Sequence, residues 1–172
     1  MNRILIALAA LVALVSGPAC DLINGPSELE REIAAQQEVI KGYSAAVPAV
    51  DGHKTTFLDA WKKANELKDF KAYKEALQTQ VVPALTRYAE AMRDMPAGSG
   101  ELAGIHEGMV EAVEGARETF AGYAEGLTEE NFDSGYKTVL DAMEKVSAAQ
   151  ATYLEKLKTY YAQNRVDLVQ DK

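Results

Sequence analysis

The sequence predicts an all-α protein, folded as an antiparallel up-down four-helix bundle with a long, kinked first helix. Beyond residue 27, apolar residues recur at steps of three and four, the spacing of a helix face. The interruptions are short and rich in Gly, Pro, Asp and Ser, which is turn chemistry. Amphipathic helices joined by short connections pack as antiparallel neighbours.

The chain opens with the short basic segment Met1-Asn2-Arg3, followed by twelve apolar residues, Ile4 to Val15. That is the length of a signal-peptide core and too short to cross a hydrocarbon layer of ~30 Å as a helix. Ser16-Gly17-Pro18-Ala19 follows, and then Cys20, the only cysteine. A lone cysteine directly after a signal core resembles the lipid-acceptor cysteine of bacterial lipoproteins. In that family the signal is cut before the cysteine, which becomes the acylated first residue. The resemblance covers residues 1–20. Ala19 fits the family pattern, whereas Gly17 and Pro18 stand where an aliphatic residue and Ala or Ser are usual.

The resemblance implies a signal peptide over 1–19, a lipidated Cys20 with a short tether to residue 26, and a helical bundle domain over 27–172. It also implies a protein anchored to the cell envelope and facing the periplasm. The alternative is ordinary cleavage after Ala19, leaving a free thiol unpaired in an oxidising compartment. Asp21 resembles the inner-membrane retention signal of enteric lipoproteins, a rule that differs between lineages, so either membrane stays open. The six residues Asp21–Pro26 reach at most ~20 Å, which would hold the domain close to the bilayer.

Ser27 with Glu30 forms a capping-box pattern that starts the first helix. Its stripe is Leu29, Ile33, Ile40, Tyr43, Val47, Val50, Phe57, Trp61 and Ala64, with Gln36 and Lys54 filling two polar gaps. Pro48 and Asp51-Gly52 interrupt it without changing its phase, which predicts a kink near Pro48, with a break as the alternative. Asp69 is the expected N-cap of a second helix carrying Phe70, Tyr73, Leu77, Val81, Ala84, Tyr88, Met92 and Met95, kinked at Pro83. Pro96 to Gly100 is a loop. A third helix carries Leu102, Ile105, Met109, Val113, Ala116, Phe120, Tyr123 and Leu127. Thr128 is the expected cap of a fourth, with Phe132, Tyr136, Val139, Met143, Val146, Gln150, Tyr153, Leu157 and Tyr160 on its stripe. Leu67, Phe70, Tyr73 and Leu77 bear a faint likeness to Leu127, Phe132, Tyr136 and Leu140, a hint of duplication. Lysines crowd the 67–69 turn and acids the 127–131 turn, an arrangement that suggests mutual charge complementarity at the distal tip.

Composition narrows function. The formal charge is −8, against a nucleic-acid face. Neither His53 nor His106 has a glutamate three residues before it, so a di-iron bundle fails. Zinc-protease, haem-attachment, nucleophile-elbow and phosphate-loop patterns are missing too, so no catalytic residue is assigned, no enzyme activity is expected and no cofactor is required. One metal candidate survives. Met92, Met95, His106 and Met109 flank the 96–100 loop and carry the thioether and imidazole that suit Cu(I), although the three methionines equally fit a core.

The most informative feature is a strip on the third helix. Gly104, Gly108, Gly115, Gly122 and Gly126 fall within about 40° of one another at about 100° per residue. Each costs a helix interior ~1 kcal/mol relative to Ala. The leading expectation is tight packing against a neighbouring helix of the bundle, so that Gly115→Ala or Gly122→Ala would lower stability. A groove for a partner helix or a second copy is the next reading, and a narrow ligand slot follows. Glu107, Glu111, Glu114, Glu118 and Glu125 flank the strip. The chain therefore reads as a membrane-tethered, non-catalytic bundle. It would meet the bilayer through Cys20 and another envelope protein, or a second copy, through its surface. A small-ligand or Cu(I)-binding lipoprotein is the alternative.

Overall fold

The computed structural model describes residues 26–166. The signal segment, Cys20 and the tether to Gly25 lie outside them, as do residues 167–172. The elements are α1 (Glu28–Asn65), α2 (Phe70–Ala76), a π-helical turn (Leu77–Val81), α3 (Val82–Arg93), α4 (Glu101–Gly126) and α5 (Phe132–Gln163). α2, the π turn and α3 form one rod, so four rods run up, down, up and down. α1 lies against α3, α3 against α4 and α4 most closely against α5. Among the described residues no helix is long and apolar enough to cross a membrane.

Two of the three expected caps form. Ser27 Oγ accepts from the Glu30 amide while the Glu30 carboxylate accepts from the Ser27 amide, the complete capping box. Asp69 accepts from the Ala72 amide at 2.8 Å. Thr128 and Asn131 bond reciprocally, but they close a turn, and α5 begins only at Phe132. α5 ends in a Schellman motif without glycine. Arg165 takes the left-handed conformation (φ 56°), and the Val166 amide reaches the Tyr161 carbonyl at 2.9 Å.

α1 runs unbroken through Pro48 and Gly52, so the alternative of a break is set aside. Both residues lie on its exposed side, and the buried stripe Ile40, Tyr43, Val50, Phe57, Ala64 keeps phase across them. Leu29 overshoots the core and is 61% exposed. Pro83 acts differently. It has no N–H to offer, and its ring crowds the carbonyl one turn earlier. The chain resolves this just upstream by widening one turn, so that the Val82 amide bonds to Leu77 O, five residues back. α3 then restarts with Pro83 in its first turn, where proline is tolerated.

Seam widths differ. α1 and α5 meet through long side chains, and two of their hydrogen bonds fall where the apolar stripe of α1 has its gaps. Tyr160 donates to Gln36 Oε1 at 2.7 Å, and Lys54 donates to Gln150 Oε1 at 2.9 Å. Gln37 donates to the Asn164 carbonyl, and Ser44 pairs with the fully buried Tyr161. α4 and α5 approach closely at Gly135, where a Cβ would lie 2.6 Å from the Tyr123 ring. Gly135 is thus a close-approach glycine, and it sits on α5 rather than on the predicted strip. Gly135→Ala is expected to force the Tyr123 ring aside and destabilise the bundle by about 1–3 kcal/mol. A thermal melt unchanged or raised by this substitution would show that the α4–α5 seam has slack.

Candidate functional site

A hydrogen-bonded chain crosses the interior and touches all four rods. The Tyr43 hydroxyl (α1) lies 2.7 Å from His106 Nδ1 (α4) and 2.7 Å from the Tyr153 hydroxyl (α5). His106 Nε2 lies 2.8 Å from the Met92 carbonyl (α3). A carbonyl only accepts, so Nε2 carries the proton and Nδ1 accepts from Tyr43, which accepts from Tyr153. Burial lowers the His106 pKa below the usual 6.5, with the Met92 carbonyl pulling the other way, so the ring is neutral. Burial raises Tyr43 and pushes Tyr153 up to about 12. Near this chain, burial raises Asp51 and lowers Lys54, and each partly offsets the other's shift.

This geometry places the copper candidates Met92, Met95, His106 and Met109 among the buried residues of the core. Met92, Met95 and Met109 are buried as core residues, and the one lone pair of neutral His106 is already spent on Tyr43. A metal ligand there would have to displace that bond.

The expectation that the glycine strip packs against a neighbouring helix of the bundle is corrected. Gly104, Gly108, Gly115, Gly122 and Gly126 all face outward, and a Cβ built on any of them meets nothing within 4 Å. No neighbouring rod of the described chain packs there; the core side of α4 carries the buried Ile105, Met109, Val113 and Phe120, the last packed against Phe57 and Trp61 of α1. Of the flanking acids, Glu114 is held by Arg93 and Arg117, and Glu118 by Arg117. Glu107, Glu111 and Glu125 make no ion pair among the described residues. At its distal end the strip becomes the floor of a shallow groove of about 490 Å³ between α4 and α5, bounded by Gly122, Gly126, Gly135, Thr119, Ser134 and Thr138.

A second concavity, of about 400 Å³, lies at the distal tip between the 67–69 and 127–131 turns. Phe70, Tyr73, Phe132 and Tyr136 wall it, with Lys68, Asp69, Glu129 and Asp133 among its edges. These are the aromatic residues of the faint internal likeness, now converging on one hollow. The expected charge complementarity of the turns does not take the form of ion pairs, since none joins them among the described residues. Lys74 instead donates to the Leu127 carbonyl at 2.8 Å, Gln78 of the π turn to Ala124 O at 3.0 Å and Asn131 to Gly126 O at 2.8 Å. The exposed carbonyl end of α4 is thereby satisfied, with a cation at the negative end of its dipole.

The polar chain makes two predictions. Tyr43→Phe strips a partner from both His106 and Tyr153 and should cost about 1–3 kcal/mol of stability. His106 also sets an acid response. Its folded pKa is depressed, so the unfolded chain takes up the proton first as pH falls. Its stabilisation is complete above about 6.5 and is lost below that, at up to ~1.4 kcal/mol per pH unit. Asp51, with its raised pKa, acts in the opposite sense. Chemical unfolding between pH 7.5 and 5.5 should show this loss in the native protein and not in His106→Gln. A pH-independent midpoint across that range would contradict a neutral buried His106.

No protein-family model, curated protein or solved structure matches this chain.

Proposed function

We propose that this protein is a lipid-tethered, non-catalytic bundle of the bacterial envelope, anchored through Cys20, that binds an envelope protein along the glycine face of α4. The observation that carries the reading is the open strip. Interior glycines weaken α4 by ~1 kcal/mol each, and nothing within the described chain recovers that cost by close packing. A helix backbone from another molecule would recover it. Charge selects the partner. Exposed Glu107, Glu111 and Glu125 favour a helix that carries small residues flanked by Lys or Arg. A symmetric pair of this chain would bring the same acidic flanks together, which disfavours a homodimer through this face. The non-catalytic part of the reading is supported by His106, whose two nitrogens are both engaged inside the core.

Gly115→Ala and Gly122→Ala test the face. With open space at both positions, each should raise Tm by roughly 2–4 °C through helix propensity alone. In-cell crosslinking from positions 111 and 118 should capture a protein in the native background and lose it in the alanine variants. Capture that is indifferent to both substitutions would remove the glycine face from binding. Separately, Cys20→Ser should abolish acyl labelling and release the protein from membranes. Undiminished membrane association would sink the anchor and the envelope assignment with it.

A further inference from the structure

We propose that the distal tip pocket binds a protonated primary amine carried on an apolar stem. The proposal does not depend on the α4 face, which lies outside this pocket. Its volume of about 400 Å³ is within the usual range for small-ligand sites, roughly 300–1,000 Å³. Its walls are rings. Tyr73 meets Phe132 edge-on at 5.4 Å, and Phe132 lies parallel to Tyr136 at 6.1 Å. Ring faces attract cations and accept alkyl chains.

The polar groups set the sign. Asp69, Glu129 and Asp133 stand against the single cation Lys68, a local charge of −2. Glu129 and Asp133 make no ion pair among the described residues, and Asp69 commits one oxygen to the Ala72 amide. An anion would be repelled from this rim. Behind the ring wall Tyr73 is only 4% exposed, with its hydroxyl buried. The neighbouring Tyr123 hydroxyl is its closest polar company. An ammonium group brings N–H donors that suit both a phenolic oxygen and the rim carboxylates. The same chemistry occurs in a free amine and in a lysyl side chain of a protein.

The probe is n-butylammonium chloride, titrated against the folded protein with n-butanol as its neutral isostere and sodium chloride as the ionic control. Saturable shifts of the Phe132 and Tyr136 ring resonances are expected for butylammonium, with butanol about tenfold weaker or worse. Glu129→Gln with Asp133→Asn should weaken binding by about tenfold without lowering Tm, since both side chains are exposed. Lys68→Gln should tighten it. A blocked lysine tripeptide separates the sources. Tighter binding than butylammonium assigns the pocket to a protein side chain, and equal or weaker binding assigns it to a free amine. No saturable binding, equal affinity for butanol, or unchanged affinity in the double variant would each overturn the proposal. Gly115→Ala and Gly122→Ala should bind the amine normally, so failure here is separable from failure of the α4 interface.

Discussion

His106 donates to Met92, accepts from Tyr43 and through it is linked to Tyr153, so one imidazole ties together all four rods at one level. The constraint is strict because every member has a direction. Met92 O cannot donate, which fixes the tautomer, and the tautomer fixes which way the Tyr43 proton points. Sliding any rod by a turn would strand at least one buried donor or acceptor, at a cost comparable to a lost core methylene or more. Apolar stripes alone would permit neighbouring registers, since one leucine-like layer resembles the next. The polar layer selects one of them.

Around this level the bundle divides into two halves of different character. Toward the chain ends, the wide α1–α5 seam is closed by pairs that satisfy each other, Gln36 with Tyr160, Gln37 with Asn164 and Ser44 with Tyr161. Toward the other end, aromatic contact replaces hydrogen bonding. Phe57, Trp61 and Phe120 interlock at 5.1–6.0 Å. Among the described residues, the buried Trp61 Nε1 and the neighbouring hydroxyls of Tyr73 and Tyr123 belong to this end. In the same region Gln78 of the π turn and Lys74 of α2 reach the carbonyl end of α4.

Much of this was legible from residue spacing, and the exceptions have physical causes. The α4 stripe is buried in full, from Leu102 to Leu127, because a long regular helix with one apolar face has only one way to sit. The Ser27 box and the Asp69 cap follow from local chemistry and needed no tertiary information. Gln36 and Lys54 were visible as gaps, but their partners lie more than ninety residues away, and no spacing rule reaches that far. Tyr161 falls off the α5 stripe and is nonetheless fully buried, because the wide seam to α1 gives α5 a second inward face. Gly135 carried no signal as a lone glycine, whereas five glycines in phase did, and the inference from phase to intramolecular packing was the wrong one. Periodicity shows that residues share a face. It does not show what the face meets.

That distinction bears on what the outward strip means energetically. A helix held by tertiary contacts on two sides tolerates glycines on its third side, because burial of Ile105, Met109, Val113, Phe120 and Tyr123 outweighs several kcal/mol of lost propensity. Tolerance explains why the strip survives but not why the glycines share a phase. Randomly placed weak residues would also fall on the α3- and α5-facing sides, where side-chain volume is filled instead. Removing side chains from one face only leaves α4 its full core and exposes a smooth backbone ridge with acids beside it. The ridge runs from the hydrogen-bonded half into the aromatic half, ending at the groove over Gly122, Gly126 and Gly135. On the proposed anchor at Cys20, that places the rigid, internally satisfied half against the membrane. The half with open concavities then faces away from it, where a second molecule has access.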